Sequence, residues 1–495
     1  MESHRPGDDI VHAADVVVIG GGPAGSTAAG LLAAWGYSVV LVHGESDLPS
    51  LSESLPASTK KLLRFLDQLD AVEAASFYPN HGNISRWAEK DAVAATEVAG
   101  YHVPRAVFDR VLRDHARTCG AVVLQAHVRR VDLAAPVVVE GVGSDGAIRC
   151  AARFVLDCSG RAGVVARRGL RRTDAGYRTL AVVAEWKTDD WPADERTHTV
   201  VDSYSNGWAW SVPLSPTRRQ CTVMIDADRT TIRKTNLEQL YADELRKAPS
   251  ISSRLAGATQ AGAVWACDAS IYDCVQASEG DALLVGDAAS FVEPLSSGGV
   301  KKALSSAWTA SVVVNTCLTK PAMRSAAFAF FDRRERQVYG EYLRRSAEFF
   351  RQAAAVYDDL FWSARASATI PAAPDAAPSD FDLGRDADVR RVFEAVRDAP
   401  RLDLVRRPRL DVGDTAVIEG REVVLREGIV VPGFAQPIRF AAGVNLPELA
   451  RMAPDCPDVP SLLEAYQRRV ASADPRSLLL GLSFLLKRGV LSRSP

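Results

Sequence analysis

The run Asp15–Val42, "DVVVIGGGPAGSTAAGLLAAWGYSVVLV", decides the fold. Val16 to Val42 carries no charged residue and is long enough to span a bilayer. Two β-branched runs flank a small-residue segment, however, and "GGGP" interrupts it. That pattern reads as buried strand, tight turn, helix and second buried strand, so no membrane span is expected. Gly20, Gly22 and Gly25 form a GxGxxG at the strand-to-helix junction. The first glycine permits the turn and the second, with Ala24 beside it, lets a pyrophosphate approach the backbone. The third lets the helix pack on the strand, and the helix start offers amides and positive potential to phosphates. A dinucleotide site is expected here.

The same spacing recurs at Gly141, Gly143 and Gly146 in "VVVEGVGSDGAIRC". There the glycines sit in a hairpin between two strands and no helix follows, so context, not the bare pattern, carries the assignment. An acidic residue should end the second strand and bind ribose hydroxyls. His43 ends it and Glu45 follows two residues later; either is a candidate for that contact.

Composition bounds the partners. The 495 residues carry a net charge of -2, which gives no electrostatic reason to expect nucleic acid or an anionic membrane surface. Eight cysteines are scattered without a CxxC pair, as reduced thiols in a cytoplasmic protein would be, and no metal site is expected. The polar, acidic start "MESHRPGDDIVHAAD" has no secretory signal.

Two further segments specify the dinucleotide. "FVLDCSGRAG" (Phe154–Gly163) is a buried strand ending in a polar glycine turn. "DALLVGDAASFVEPLSSGGVKKAL" (Asp281–Leu304) is a strand, then Gly286-Asp287-Ala288, a loop with Pro294, and a helix after Gly298-Gly299. An Asp at that point can accept from a ribitol hydroxyl, and a helix start can stabilise negative charge on a reduced flavin ring. These three segments in this order resemble the FAD-binding fold of aromatic hydroxylases and flavin-dependent halogenases. "SESLPASTKKLLRFL" is similar to the halogenase Gly-Glu-Ser-Leu segment, with Ser52 for the glycine and Glu53 retained. "PRAVFDRVLRDHA" resembles the segment whose arginine, here Arg105, lies near the flavin.

"GWAWSVPL" (Gly207–Leu214) follows "THTVVDSY" and an Asn206-Gly207 pair, a good two-residue hairpin turn. Strand alternation sends Trp208, Trp210 and Val212 to one face, with Ala209 and Ser211 on the other. From the residues alone these rings are core or chamber wall. "WAWSVP" resembles the family's Trp-x-Trp-x-Ile-Pro signature, and by that resemblance they sit beside a substrate chamber.

Halogenases of this branch place a relay lysine in Phe-x-x-Lys-x-Gly. The matching "FYPNHG" (Phe77–Gly82) holds Asn80 there, and an amide cannot form a haloamine. Lys60 and Lys61 fall on an amphipathic helix and read as solvated. "NHGNISRWAE" resembles instead a subgroup of halogenase-like flavoproteins without the lysine, some of which hydroxylate a tryptophan of a partner protein during quinone cofactor maturation.

The expected architecture is therefore α/β: a Rossmann-like FAD-binding domain of the aromatic hydroxylase type, interleaved over residues 1–375 with an antiparallel β substrate domain (about 78–103 and 178–275). "SATIPAAPDAAPSDFDLG" (Ser367–Gly384) reads as a linker. Residues 385–495 read as a small winged-helix-like α+β domain, serving as lid or partner surface. The resemblance implies an FAD-dependent monooxygenase acting on an electron-rich aromatic, such as an indole within a peptide or protein. Reduced flavin and O2 would give a C4a-hydroperoxide that the protein shields and aims. His81 is the first candidate for a base, since its ordinary pKa lies near neutrality, and Glu53 the second. Asn80, Trp208, Trp210 and Pro294 are the expected chamber residues. With one GxGxxG in strand-turn-helix context, taken by FAD, reduction by a separate flavin reductase is expected. The rivals are a halogenase with another relay group, a flavin dehydrogenase or reductase, and a non-catalytic FAD-bearing maturation chaperone.

Overall fold

The computed structural model describes residues 12–44, 49–144, 146–173, 176–230, 236–368, 380–405, 410–470 and 472–493. Glu45, most of the expected linker and the first eleven residues lie outside these. The chain divides into two compact units, Met1–Val314 with Val338–Pro371, and Asn315–Gln337 with Ala372–Pro495.

In the first unit, β1 (His12–Ile19) is joined by α1 (Pro23–Ala34) to the parallel strand β2 (Val39–His43). Val16, Val17, Val18 and Val39 to Val42 are all buried. A parallel strand covered on both faces needs a continuous apolar run rather than alternation. The chain then leaves through β3 (Ser52–Leu55), α2 (Thr59–Phe65), α3 (Leu69–Ala74), β4 (Tyr78–Trp87) and β5 (Lys90–Pro104). It returns by α4 (Arg105–Thr118), which packs on α1, and β6 (Val122–Asp132) lies parallel to β2. β7 (Val137–Gly143) and β8 (Gly146–Asp157) form a hairpin closing at the Gly143–Gly146 pair, and β8 runs parallel to β1. The second GxGxxG thus sits in a hairpin, with no helix.

After the two-residue strand β9 (Arg171–Arg172) come β10 (Thr179–Lys187), β11 (His198–Tyr204), β12 (Gly207–Ser215) and β13 (Arg218–Asp226). With β3, β4 and β5 they form the second sheet in the order β10-β13-β12-β11-β4-β5-β3. Neighbours are antiparallel except β4 and β11, which are parallel because the chain reaches β11 by a crossover rather than a hairpin. The hairpin turn lies one residue earlier than its sequence suggests. Tyr204 pairs with Gly207, so Ser205 and Asn206 occupy the turn, and neither has a positive φ.

One face of this sheet is covered by α5 (Leu237–Arg246) and α6 (Pro249–Arg254), with Tyr241 and Ile251 packed against Val182, Val223 and Ala209. The strands β14 (Thr259–Gln260) and β15 (Trp265–Asp268) pair with β10, and β16 (Asp273–Cys274) with β9. β17 (Ser278–Glu279) and β18 (Ala282–Leu284) return to the first sheet, where β18 lies parallel to β8. The helices α7 (Gly299–Thr319), α8 (Arg324–Ala354) and α9 (Leu360–Ala366) follow.

The second unit has its own core, with Leu446, Leu449, Leu462, Tyr466 and Phe484 among its buried residues. Its helices over 387–397, 459–469 and 475–487 accompany a long hairpin pairing 412–419 with 422–429. Residues 380–385, read from sequence as the end of the linker, are helical. The end of α7 belongs to this unit: the Thr316 hydroxyl accepts from the Val423 amide at 2.8 Å. Among the described residues no helix is long and apolar enough to cross a membrane, and no His/Cys/Asp/Glu cluster could hold a metal ion.

Candidate active site

One continuous cavity in the first unit runs from the β1–α1 turn to the aromatic face of the second sheet. At one end Gly22, Pro23 and Ala24 line it. The chain turns at Gly20 with a φ of 106°, and a Cβ there would sit 2.3 Å from the Cys158 carbonyl oxygen. Gly22 is the N-cap of α1 and no side chain caps the helix, so its first amides are left for a ligand. A Cβ on Gly22 would enter the space in front of Arg105, 3.6 Å from Nη2. His43 is buried at the end of β2.

Arg105 opens α4 and is held from two sides. Its Nε and Nη2 donate to Asp109 at 2.9 and 3.1 Å, and its Nη1 to Glu53 on β3 at 3.4 Å. Burial opposes the guanidinium charge, but Asp109 and Glu53 outweigh it and hold the pKa above its usual value. Burial pushes the Glu53 carboxyl above the ordinary range, against the pull of Arg105. Glu53, Arg105 and Asp287 all line the cavity.

Asp287 lies in the turn after β18. That turn is held from below by Lys302, whose buried ammonium donates to the Gly286 carbonyl at 3.0 Å, to Asp287 Oδ1 at 3.3 Å and to the Ser290 carbonyl. Gly299 starts α7 and lines the cavity, while Gly298 packs under Tyr342, whose hydroxyl donates to its carbonyl at 3.3 Å. Uncapped helix amides, a guanidinium and a carboxylate at the second turn suit the pyrophosphate and ribityl hydroxyls of a flavin dinucleotide. Replacing Asp287 with alanine, or Gly22 with valine, is expected to lower flavin content several-fold, read as flavin absorbance per protein after gel filtration. Full occupancy in both variants would contradict this placement.

At the other end, Trp208, Trp210, Val212, Val201, Met224 and Ala181 line the cavity from adjacent strands. Trp208 and Trp210 stack at 4.8 Å. Behind them Trp87 meets Trp208 edge-on at 6.2 Å and Trp362 at 5.5 Å, and both backing indoles donate to backbone carbonyls. Pro294 and Leu295 close this wall.

Two residues expected at the substrate end fall elsewhere. Asn80 is buried with its amide donating to the Leu55 carbonyl at 3.3 Å and accepting from the Gly82 amide at 2.9 Å. It stitches β4 to β3 and is not among the cavity-lining residues. His81 is not among them either; its Nδ1 meets the Thr197 hydroxyl at 3.1 Å. The pairing of β4 with β5 shifts register between Asn80 and Gly82, where Gly82 takes a φ of 140°. Simple alternation does not carry across such an irregularity, and Asn83 lines the cavity in its place.

Sequence reading missed three polar side chains beside the aromatic wall. Ser54 Oγ lies 3.0 Å from His102 Nδ1 and 2.5 Å from Thr199 Oγ1, and His102 Nε2 lies 2.9 Å from the Thr197 carbonyl. Ser54 and Thr199 line the cavity; His102 is fully buried behind them.

The tryptophan halogenase family model matches residues 59–384. The chain belongs to this family. It is 29% identical over 372 residues to the tryptophan 2-halogenase of Chondromyces crocatus, covering 71% of this chain and 70% of that one. Among solved structures it is similar to the flavin-dependent halogenase CmlS, with a TM-score of 0.77 and 22% identity over 97% of this chain and 96% of that one. It is also similar to QhpG, a peptidyl tryptophan dihydroxylase essential for tryptophylquinone cofactor biogenesis, with a TM-score of 0.68 and 23% identity over 96% and 99% of the two chains. The chain is thus an oxidoreductase of aromatic substrates, and its cofactor is FAD.

Proposed function

We propose that this flavoprotein is a monooxygenase that hydroxylates an indole, presented within a peptide or protein, rather than a halogenase. The reading is carried by one observation. The cavity pairs a stacked tryptophan wall with a flavin end, yet no lysine is among its described lining residues. The position where halogenases carry their relay lysine holds Asn80, tied to backbone on both sides. Bound FAD, once reduced, supplies an activated oxygen from O2. The protein's part is to orient and to keep water away: Trp208 and Trp210 offer flat apolar faces to a ring, and Gly22, Arg105 and Asp287 hold the cofactor. Glu53, which lines the cavity beside Arg105, is the one of the two candidate bases that reaches it, and it takes a proton from the reacting ring. The near end-to-end likeness to QhpG gives this fold a precedent for the chemistry. Electrons are taken from a separate flavin reductase.

Full-length, FAD-loaded protein with a flavin reductase, labelled O2, a tryptophan-containing peptide and bromide is expected to give product heavier by labelled oxygen alone. Halide-dependent product would overturn this reading in favour of halogenation by another relay group, which the named halogenase relatives make the natural rival.

A further inference from the structure

The hydrogen-bond directions in the Ser54–His102–Thr199 cluster follow from valence alone. A carbonyl can only accept, so the Thr197 oxygen at 2.9 Å requires the proton on His102 Nε2. Burial holds the ring neutral, with its pKa lowered to about 3. Nδ1 is then a bare lone pair, and the Ser54 hydroxyl 3.0 Å away must donate to it. With its proton spent, Ser54 Oγ can only accept from Thr199, 2.5 Å away. The Thr199 proton is spent in turn, so the oxygen has only lone pairs left to offer.

Resting on the monooxygenase reading, we propose that Thr199 is a specificity-determining residue: a hydroxyl fixed as a pure acceptor, selecting aromatic substrates that carry an N–H or O–H donor on the ring. The placement suits the role. Thr199 pairs in register with Asn83 on β4, and the next strand along, β12, carries Trp208 and Trp210. Thr199, Trp208 and Trp210 line the same cavity, so a ring lying against the tryptophans shares that space with this oxygen. A site that holds a buried acceptor rejects a donor-free isostere because the acceptor is then left unpaired. Ser54 and His102 are positioning residues, since they act only through Thr199.

The test measures binding of N-acetyltryptophanamide and its benzothienylalanine isostere, which lacks the ring N–H, to the FAD-loaded full chain. The tryptophan probe is expected to bind about three- to tenfold more tightly, as one neutral hydrogen bond gives. Thr199→Ser should keep that preference and Thr199→Val should erase it with flavin content unchanged. Ser54→Ala should shrink it, because the freed threonine hydroxyl can then donate. An undiminished preference in Thr199→Val, or binding of both probes without preference in the unaltered protein, overturns the proposal while leaving hydroxylation standing. Halogenated product with the preference intact overturns hydroxylation alone, and failure of both probes to bind overturns the two together.

Discussion

Alanine at Gly25 is expected to abolish flavin binding and to destabilise the fold by about 4 kcal/mol or more, at the extreme of single substitutions. A Cβ there would stand 1.8 Å from the Gly20 carbonyl oxygen and 3.1 Å from Cys158 Cβ. The first contact is with backbone, so no rotamer change relieves it; α1 must move off β1, and the turn that presents Gly22 moves with it. Helix propensity works the other way by about 1 kcal/mol, too little to offset the clash. Gly30, in the same helix, is the control. Its Cβ would meet Ala116 at 3.5 Å, an ordinary contact, so Gly30→Ala is expected to retain flavin and to melt at or slightly above the parent temperature. Flavin absorbance per protein and thermal unfolding of both variants check this. Equal flavin retention would show that the third glycine does not set the spacing of helix and strand.

What sequence could and could not reveal divides along the range of the interactions. The strand-turn-helix around Gly20 to Gly25, the hairpin nature of the second glycine cluster and the shared face of Trp208 and Trp210 are local matters of period and turn sterics. They are legible in consecutive residues. The Ser54–His102–Thr199 cluster joins three strands 48 and 145 residues apart in sequence, and no spacing rule points to it. A histidine between Tyr101 and Val103 in β5 is the one local signal the sequence carries. His81 illustrates the opposite failure. Its motif was visible, but the β4–β5 register shifts between Asn80 and Gly82, and His81 meets the Thr197 hydroxyl and is not among the cavity-lining residues; such irregularities leave little trace in composition. Lys302 was hidden for a third reason. A lysine at the start of an amphipathic helix reads as solvated, whereas here three oxygens of the Gly286–Ser290 turn satisfy its ammonium inside the protein.

Glu293→Gln is expected to stabilise the protein at pH 8 and to leave it unchanged near pH 4.5. Glu293 immediately precedes Pro294 of the chamber wall, is 1% exposed, and neither of its carboxylate oxygens has a hydrogen-bond partner. Burial raises its pKa to about 7, with the Arg365 guanidinium pulling the other way. Arg365 does not hydrogen-bond to it: Nη1 and Nη2 donate to the Phe361 and Arg178 carbonyls and the Thr179 hydroxyl, and Nε has no partner. In the unfolded chain the group ionises from its ordinary value of 4.5, while in the folded chain it keeps its proton to about 7. The folded state therefore binds more protons between these values, and stability falls as pH rises through that window, then levels off. At about 1.4 kcal/mol for each unit of difference, the loss reaches at most about 3.5 kcal/mol. Glutamine keeps the shape and cannot ionise, so the variant's stability should run flat where the parent's declines. Chemical denaturation at several pH values measures the difference directly. A parent and variant that decline in parallel between pH 4.5 and 8 would mean that Glu293 ionises in the folded protein as freely as in the unfolded chain.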